Sequence, residues 1–381
     1  MAILNRSDAF APLMLASTEH SADALYFGKT QVPDAFIACL LNGKKAAVLS
    51  RLEIARVRKE GVFELLLSYE EWRSRVQSRG GKGTMAEIVA ALAEEYAVPG
   101  FRIAEDFPAG AAFALRDLGV KLEVAEGLLF PEREYKSDEE AEAIREGNAA
   151  SAAGFLVVER ILGEAKISRD GTLVHGGDIL TSERLRTLIE IACLQRGAHA
   201  LNTIVAGGDQ ACDPHCRGSG PLRANELIIV DIFPRVAETG YHGDMTRTYL
   251  KGTASDAQRA LVETVFAAHQ DAMGKHRAGA DGKQIYEEVR AAFEAKGYAT
   301  EVVDGTPVGF FHGLGHGLGL EVHEPPRVNP SGGLLQAGQV ITVEPGLYYP
   351  GLGGCRIEDV VRVGSEEPER LSEHPYDWEI R

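Results

Sequence analysis

Two acids stand where an apolar strand pattern leaves little room for them. Asp231 closes the run Glu226-Leu-Ile-Ile-Val-Asp231, and Asp244 opens Asp244-Met-Thr-Arg-Thr248. If the two segments form a hairpin, 231 and 244 place its turn near Ala237-Glu238. Directly opposite residues of an antiparallel pair share a face, so the two carboxylates would converge. Like charges that close repel, and their pKa values split unless a cation sits between them. The plain alternative is two solvated hairpin acids.

A second candidate is Gly309-Phe-Phe-His312-Gly-Leu-Gly-His316-Gly-Leu-Gly-Leu-Glu-Val-His323-Glu-Pro-Pro. Three of the chain's 11 histidines fall here. His312 and His316 are spaced as a zincin pair would be on a helix. Five glycines between 309 and 319 make a helix implausible. Glycine at alternate positions gives a bare strand face instead, open to another backbone or a ligand. No Gly-Lys-Ser/Thr follows, so a phosphate loop has no support. A structural glycine strand is the plain alternative.

The third candidate is Val340-Ile-Thr-Val-Glu344-Pro-Gly with Cys355-Arg356-Ile-Glu358-Asp359-Val360. Each is an apolar β run interrupted by charge, and acids are rarely buried unless paired or metal-bound. Arg356 and Glu358 share strand parity, so a simple ion pair is the alternative there. Asp231, Asp244, His316, Glu344 and Glu358 together supply four carboxylates and one imidazole. Four negative charges match two divalent ions. Mostly oxygen ligands with one nitrogen suit Mn²⁺, Fe²⁺, Co²⁺ or Zn²⁺ rather than a thiolate site. Such a pair can acidify a shared water.

The elements that must carry these residues are readable. Residues 1 to about 135 read as an α/β unit, with a hairpin at Ala35–Leu41, Asn42-Gly43 and Lys44–Leu49; Asn-Gly suits a type I′ turn. Helical patterns follow near 84–97 and 108–118. From 136 the order is helix, helix, strand, strand, then the same again. Ser137 with Glu140 and Ser255 with Gln258 are capping boxes. They open helices to about Gly163 and Lys275; further helices span Ser182–Gln195 and about 283–296. Strand-like runs are Glu226–Phe233, Tyr241–Leu250, and near 309–321, 338–348 and 355–363. Strands grouped in antiparallel hairpins indicate an α+β domain over 136–381, and the element order suggests two similar halves.

Composition sets the outer limits. The chain has 381 residues, 40 Lys and Arg against 56 Asp and Glu, and a net charge of −16. That acidity argues against nucleic acid or an anionic membrane as partner. Five cysteines give no disulfide framework, and a cytoplasmic location is expected. Met1–Phe10 shows no basic-then-apolar signal, no apolar run is long enough to span a membrane, and neither end carries a lipidation pattern. Cys212-Asp-Pro-His215-Cys216 lacks the second Cys/His pair of a zinc site. No Gly-x-Ser-x-Gly elbow is present.

At these residues the sequence resembles the pita-bread metallopeptidases, the family of methionine aminopeptidase, aminopeptidase P, prolidase and metal-free creatinase. The resemblance covers about 136–365 and implies a duplicated α+β fold with a smaller N-terminal domain of creatinase/prolidase type over 1–135. It implies two divalent ions, manganese first, with cobalt, zinc and iron open. Asp231 would chelate one, Asp244 and Glu358 would bridge both, and His316 and Glu344 would hold the other. His323 resembles the histidine that contacts the scissile carbonyl, His215 the upstream substrate-binding histidine, and His312 a neighbour on the glycine strand. Arg327 could grip a substrate carboxylate as a fork, with a solvated loop cation as the alternative, and Arg356 is a further substrate-binding candidate.

Two departures stand out. Phe233 occupies a position where the family pattern usually has glycine, and the Asp231–Asp244 spacing is two residues longer than usual. An even insertion preserves strand parity, so the metal site is expected to survive with a longer hairpin and an altered pocket wall.

The implied function is removal of an N-terminal residue preceding proline, from a dipeptide or a longer peptide. Glu344 would take the proton and His323 would stabilise the oxyanion. The expected partners are a small peptide substrate and a second copy of the chain in a homodimer. Alternatives are another C–N hydrolase, a general aminopeptidase, or a peptide- or protein-binding module on the same fold.

Overall fold

Asn42 and Gly43 take φ of 52° and 74°, as a two-residue type I′ turn requires. They join β2 (Phe36–Leu41) to β3 (Lys44–Leu49), with Leu41 opposite Lys44. The computed structural model describes residues 10–381; of the segment read for a targeting signal, all but Phe10 lies outside them. The chain divides into two units between Arg133 and Glu134.

In the first unit β1 (Ala11–Ala16) flanks β2, and β4 (Leu65–Ser68) flanks β3. With β5 (Phe101–Ile103) and β6 (Leu122–Val124) they form a six-stranded mixed sheet in the order β4-β3-β2-β1-β5-β6. Alternate side chains enter two separate cores. Leu13, Ile37, Cys39 and Val48 pack with Trp72, Ile88 and Leu92, while Met14, Phe36, Ala38 and Leu49 pack with Phe27 and Val57. A sheet covered on both faces reads as a continuous apolar run, as Phe36–Leu41 does.

The second unit opens with α1 (Asp138–Glu164), whose Ser137–Glu140 capping box is formed. Its 27 residues extend about 40 Å. There follow α2 (Ser182–Gln195), β7 (Ile204–Gly207), β8 (Ile228–Ile232) and β9 (Met245–Lys251). The second half repeats the order with α3 (Asp256–Met273), capped by Ser255 and Gln258, and α4 (Gly282–Ala295). Its strands are β10 (Gly315–Gly317), β11 (Glu324–Val328), β12 (Val340–Val343), β13 (Gly346–Tyr349), β14 (Gly353–Arg356) and β15 (Asp359–Arg362).

One sheet runs β7-β8-β9 and the short strand Glu379–Ile380; the other runs β11-β10-β12-β15 and Glu369–Arg370. Period-two alternation decides what each strand presents. Ile228, Val230 and Ile232 pack on Phe155, Val158 and Ile189 of α1 and α2, which leaves Ile229 and Asp231 on the opposite face. Ile341 and Val343 pack on Val265, Ile285 and Phe293 of α3 and α4, which turns Thr342 away from the helices.

Three expectations are corrected. Asp231 lies opposite Thr246, not Asp244. The register is offset by two residues, so both acids still share a face. The long runs near 338–348 and 355–363 are each two strands. Pro345 has no N–H to continue β12, and the Glu344 N–H turns to Leu314 O at 2.8 Å. The Glu358 N–H bonds Thr246 O at 3.0 Å, joining the two sheets at the break between β14 and β15. The glycine run is a strand only over Gly315–Gly317.

Gly147 of α1 and Gly243 touch backbone to backbone, and a Cβ on either would collide with the other. That contact seats the turn before Asp244 against the helix. Gly243→Ala is expected to destabilise the protein by about 1–3 kcal/mol, read as a lower urea midpoint at unchanged slope.

Candidate metal centre

Asp231 is the penultimate residue of β8, Asp244 immediately precedes β9, His316 is central in β10, and Glu344 and Glu358 follow β12 and β14. All five line one cavity of about 600 Å³, together with His215, His312, His323, Arg327 and Arg356. The sequence candidates are therefore brought together, from strands of both halves.

One oxygen or nitrogen from each of Asp244, His316 and Glu358 lies within 4.8 Å of the other two. His316 Nε2 is 3.7 Å from Asp244 Oδ2 and 3.6 Å from Glu344 Oε1. Those gaps exceed hydrogen-bond length. They match ligands sharing one ion, which at bond lengths of about 2.1 Å stand about 3.4 Å apart. His316 Nδ1 is 3.1 Å from Gly317 O. A carbonyl only accepts, so Nδ1 carries the proton and Nε2 presents its lone pair inward, as a metal-ligating imidazole does. The His316 N–H donates to Thr342 Oγ1 at 3.1 Å, which fixes the ring's base.

Asp231 Oδ2 accepts from Arg356 Nη2 at 2.8 Å, while Oδ1 is buried with no hydrogen-bond partner among the described residues. Glu358 Oε2 accepts from Thr246 Oγ1 at 2.8 Å. Burial lifts the Asp244 carboxyl well above its ordinary range, and Glu358, Asp231 and Glu344 add repulsion. Burial raises Glu358 likewise, helped by Glu344 and Asp231. Burial pushes Glu344 up to about 7, against the pull of Arg356. The same enclosure drives His316 down to about 3, so its imidazole is neutral. Carboxylates this close stay ionised together only with cations between them. An orphaned acid oxygen, an inward lone pair and mutually repelling carboxylates fit divalent metal.

The surrounding candidates differ in how free they are. His312 has both nitrogens engaged: Nδ1 donates to Gly313 O at 2.7 Å and Nε2 accepts from Tyr348 Oη at 2.8 Å. Arg356 does not pair with Glu358 as strand parity suggested. Its guanidinium bonds Asp231, Tyr348 Oη at 3.0 Å and Pro214 O at 3.4 Å. It thereby neutralises part of the acid cluster and tethers the loop bearing His215. The His323 ring stands 4.3 Å from that of His316 at 88°, and Arg327 lies directly opposite His316 across β10 and β11.

Several contributors were missed from sequence. Thr246 supports Glu358, and Tyr348 links His312 to Arg356. Asn148 Oδ1 accepts the Asp244 N–H at 2.9 Å. Arg247 donates to Glu358 O at 2.8 Å and to Asp359 Oδ1 at 3.1 Å, clamping the peptide that carries Glu358. Burial alone would raise Asp359, but Arg247, His269 and Arg370 outweigh it and hold the carboxyl far below its ordinary range. A signal existed only for Asn148, a polar residue on the apolar face of α1.

Residues 142–365 match metallopeptidase family M24. The chain belongs to that family. Among M24 relatives, the Xaa-Pro dipeptidase of Pyrococcus furiosus is 34% identical over 175 residues, 45% of this chain and 47% of that one. The chain thus spans about half the length of that curated relative. The fold is that of the M24 X-Pro aminopeptidase from Thermotoga maritima MSB8, with a TM-score of 0.80 at 24% identity over 97% of both chains. Prolidase from Pyrococcus furiosus superposes with a TM-score of 0.76 at 22% identity, over 96% of both. The architecture is therefore the pita-bread fold of M24.

A carboxyl whose folded pKa exceeds its unfolded value stabilises the fold below the unfolded pKa, and that contribution is lost as pH rises through the folded pKa. For Glu344 the window runs from 4.5 to about 7. Compared with wild type in chelator, metal-free Glu344→Gln should therefore gain relative stability across that window. Urea midpoints at several pH values measure it; a flat difference counts against the repulsion.

Proposed function

We propose that the chain is a metal-dependent exopeptidase that removes an N-terminal residue preceding proline. The observation that carries the reading is the enclosure of four acids and a neutral His316 in one cavity, with Arg327 opposite His316. Asp231, Asp244, His316, Glu344 and Glu358 would hold two divalent ions, with manganese the first candidate and cobalt, zinc and iron next. Such ions supply Lewis acidity, polarising a carbonyl oxygen and acidifying water.

The chain's own residues do the rest. Glu344 lines the cavity, placed to take a proton and return it to the leaving nitrogen. His323 sits at the rim of the cavity to donate to the developing oxyanion, and His215 positions the peptide from the tethered loop. An Xaa-Pro amide has no N–H, so a proline-shaped pocket selects it without an acceptor. Arg327 favours a dipeptide, whose carboxylate it would grip as a fork.

A homodimer accords with the prevalence of two-fold assemblies. All five cysteines are free, which supports the cytoplasm, where thiols stay reduced. Among the described residues, no helix is long and apolar enough to cross a membrane.

Hydrolysis of Ala-Pro, Ala-Pro-Ala and Ala-Ala, with added Mn²⁺ or with chelator, tests the reading. Metal-dependent cleavage of Ala-Pro but not Ala-Pro-Ala is expected; cleavage of Ala-Ala alone would refute the proline preference. Arg327→Ala should raise KM for Ala-Pro by about tenfold or more, the loss of a charged hydrogen bond; an unchanged KM would refute carboxylate recognition by Arg327. Metal analysis of Asp244→Ala and Glu358→Ala should find paired ions lost; two ions with full activity would refute the assignment.

A further inference from the structure

The cavity has two chemically distinct ends. Across β7 and β8, Ile204 lies directly opposite Asp231, and directly opposite residues share a face. Phe233 follows Asp231 by two residues, and Ile204, Asp231 and Phe233 all line the cavity. The acid at this end is therefore flanked by apolar groups on two sides. At the other end the cross-strand neighbour of His316 is the Arg327 cation.

A dipeptide has an ammonium at one end and a carboxylate at the other. Charge complementarity orients it in this cavity, with the carboxylate toward Arg327 and the ammonium toward the acids. Its first side chain then falls on the wall made by Ile204 and Phe233. We propose that Phe233 closes the subsite for the first residue and restricts it to small side chains. This rests on the Xaa-Pro peptidase reading and adds the substrate class.

The wall is held from behind. Ile204 is 5% exposed and packs with Ala206, Ile229 and Tyr348. Beyond Phe233, the Gly243 N–H bonds Pro234 O at 2.9 Å, and Arg235 bridges His242. The Val236 N–H bonds Tyr241 O at 2.8 Å and closes the hairpin. Phe233 thus stands on a hydrogen-bonded hairpin base rather than on a free loop. Its ring fills space that a small residue there would leave to the substrate. Alanine as first residue fits beside it, and a phenylalanine must displace it. Apolar pockets discriminate on size by about 10–200-fold.

The test compares kcat/KM for Ala-Pro, Phe-Pro, Ala-Ala and Phe-Ala in wild type, Phe233→Leu and Phe233→Ala, with metal content measured on each protein. Wild type should favour Ala-Pro over Phe-Pro by about tenfold or more. The ratio should fall stepwise through Phe233→Leu to Phe233→Ala as Phe-Pro improves. An unchanged ratio in a variant that keeps its metal overturns the assignment, as does a wild-type preference for Phe-Pro. If only Ala-Ala and Phe-Ala are cleaved, the proline reading fails, and the same ratio on that pair judges Phe233 separately. If no peptide is cleaved by metal-loaded protein, both fall. Should Phe233→Ala not fold, Phe233→Leu decides.

Discussion

Four carboxylates enclosed in one pocket repel one another, and burial removes the water that would screen them. Asp231, Asp244 and Glu358 are 8%, 3% and 2% exposed. One arginine offsets part of that charge by a direct bond to Asp231. The remainder stays ionised only with cations between the acids, which a divalent-metal site would supply. A pocket of this kind would splay apart unless its walls were held independently of its contents, and much of the second unit serves that end.

The holding is done at the backbone. Arg247 reaches the carbonyls of Thr246 and Glu358 while its charge is met by Asp359. Asn148 ties the Asp244 amide to Leu371 O. Glycines at 315 and 317 let neighbouring backbone close in, since a Cβ there would strike Thr342 O or Pro325 O. Helices cover the far faces of both sheets with apolar side chains, each worth about 1.5–3 kcal/mol on full burial. That packing opposes the repulsion without touching the acids.

Local chemistry made much of this legible in the sequence. The capping boxes at Ser137 and Ser255 fixed two helix starts, and Asn42-Gly43 fixed a hairpin, because each signal lies within a few residues. The acids stood out because charge inside apolar β runs is uncommon, and His316 because three histidines crowd one glycine-rich run. What escaped was long-range. The two-residue register offset, the Arg356–Asp231 pairing and the Thr246–Glu358 bond join residues far apart in the chain. Strand parity predicts which side chains share a face, but not which of them meet. Nothing local in the sequence marks Tyr348, and only its contacts to His312 and Arg356 reveal its part.

The two halves contribute unequally to the pocket. The first supplies Asp231 and Asp244; the second supplies His316, Glu344 and Glu358. During synthesis the first half emerges first, and it offers two of the five candidate ligands, both of them acids. A metal held by all five residues would require the second sheet to be folded onto β9 through the Thr246–Glu358 bridge. A nascent chain would thus hold only part of this ligand set while its second half is still being made.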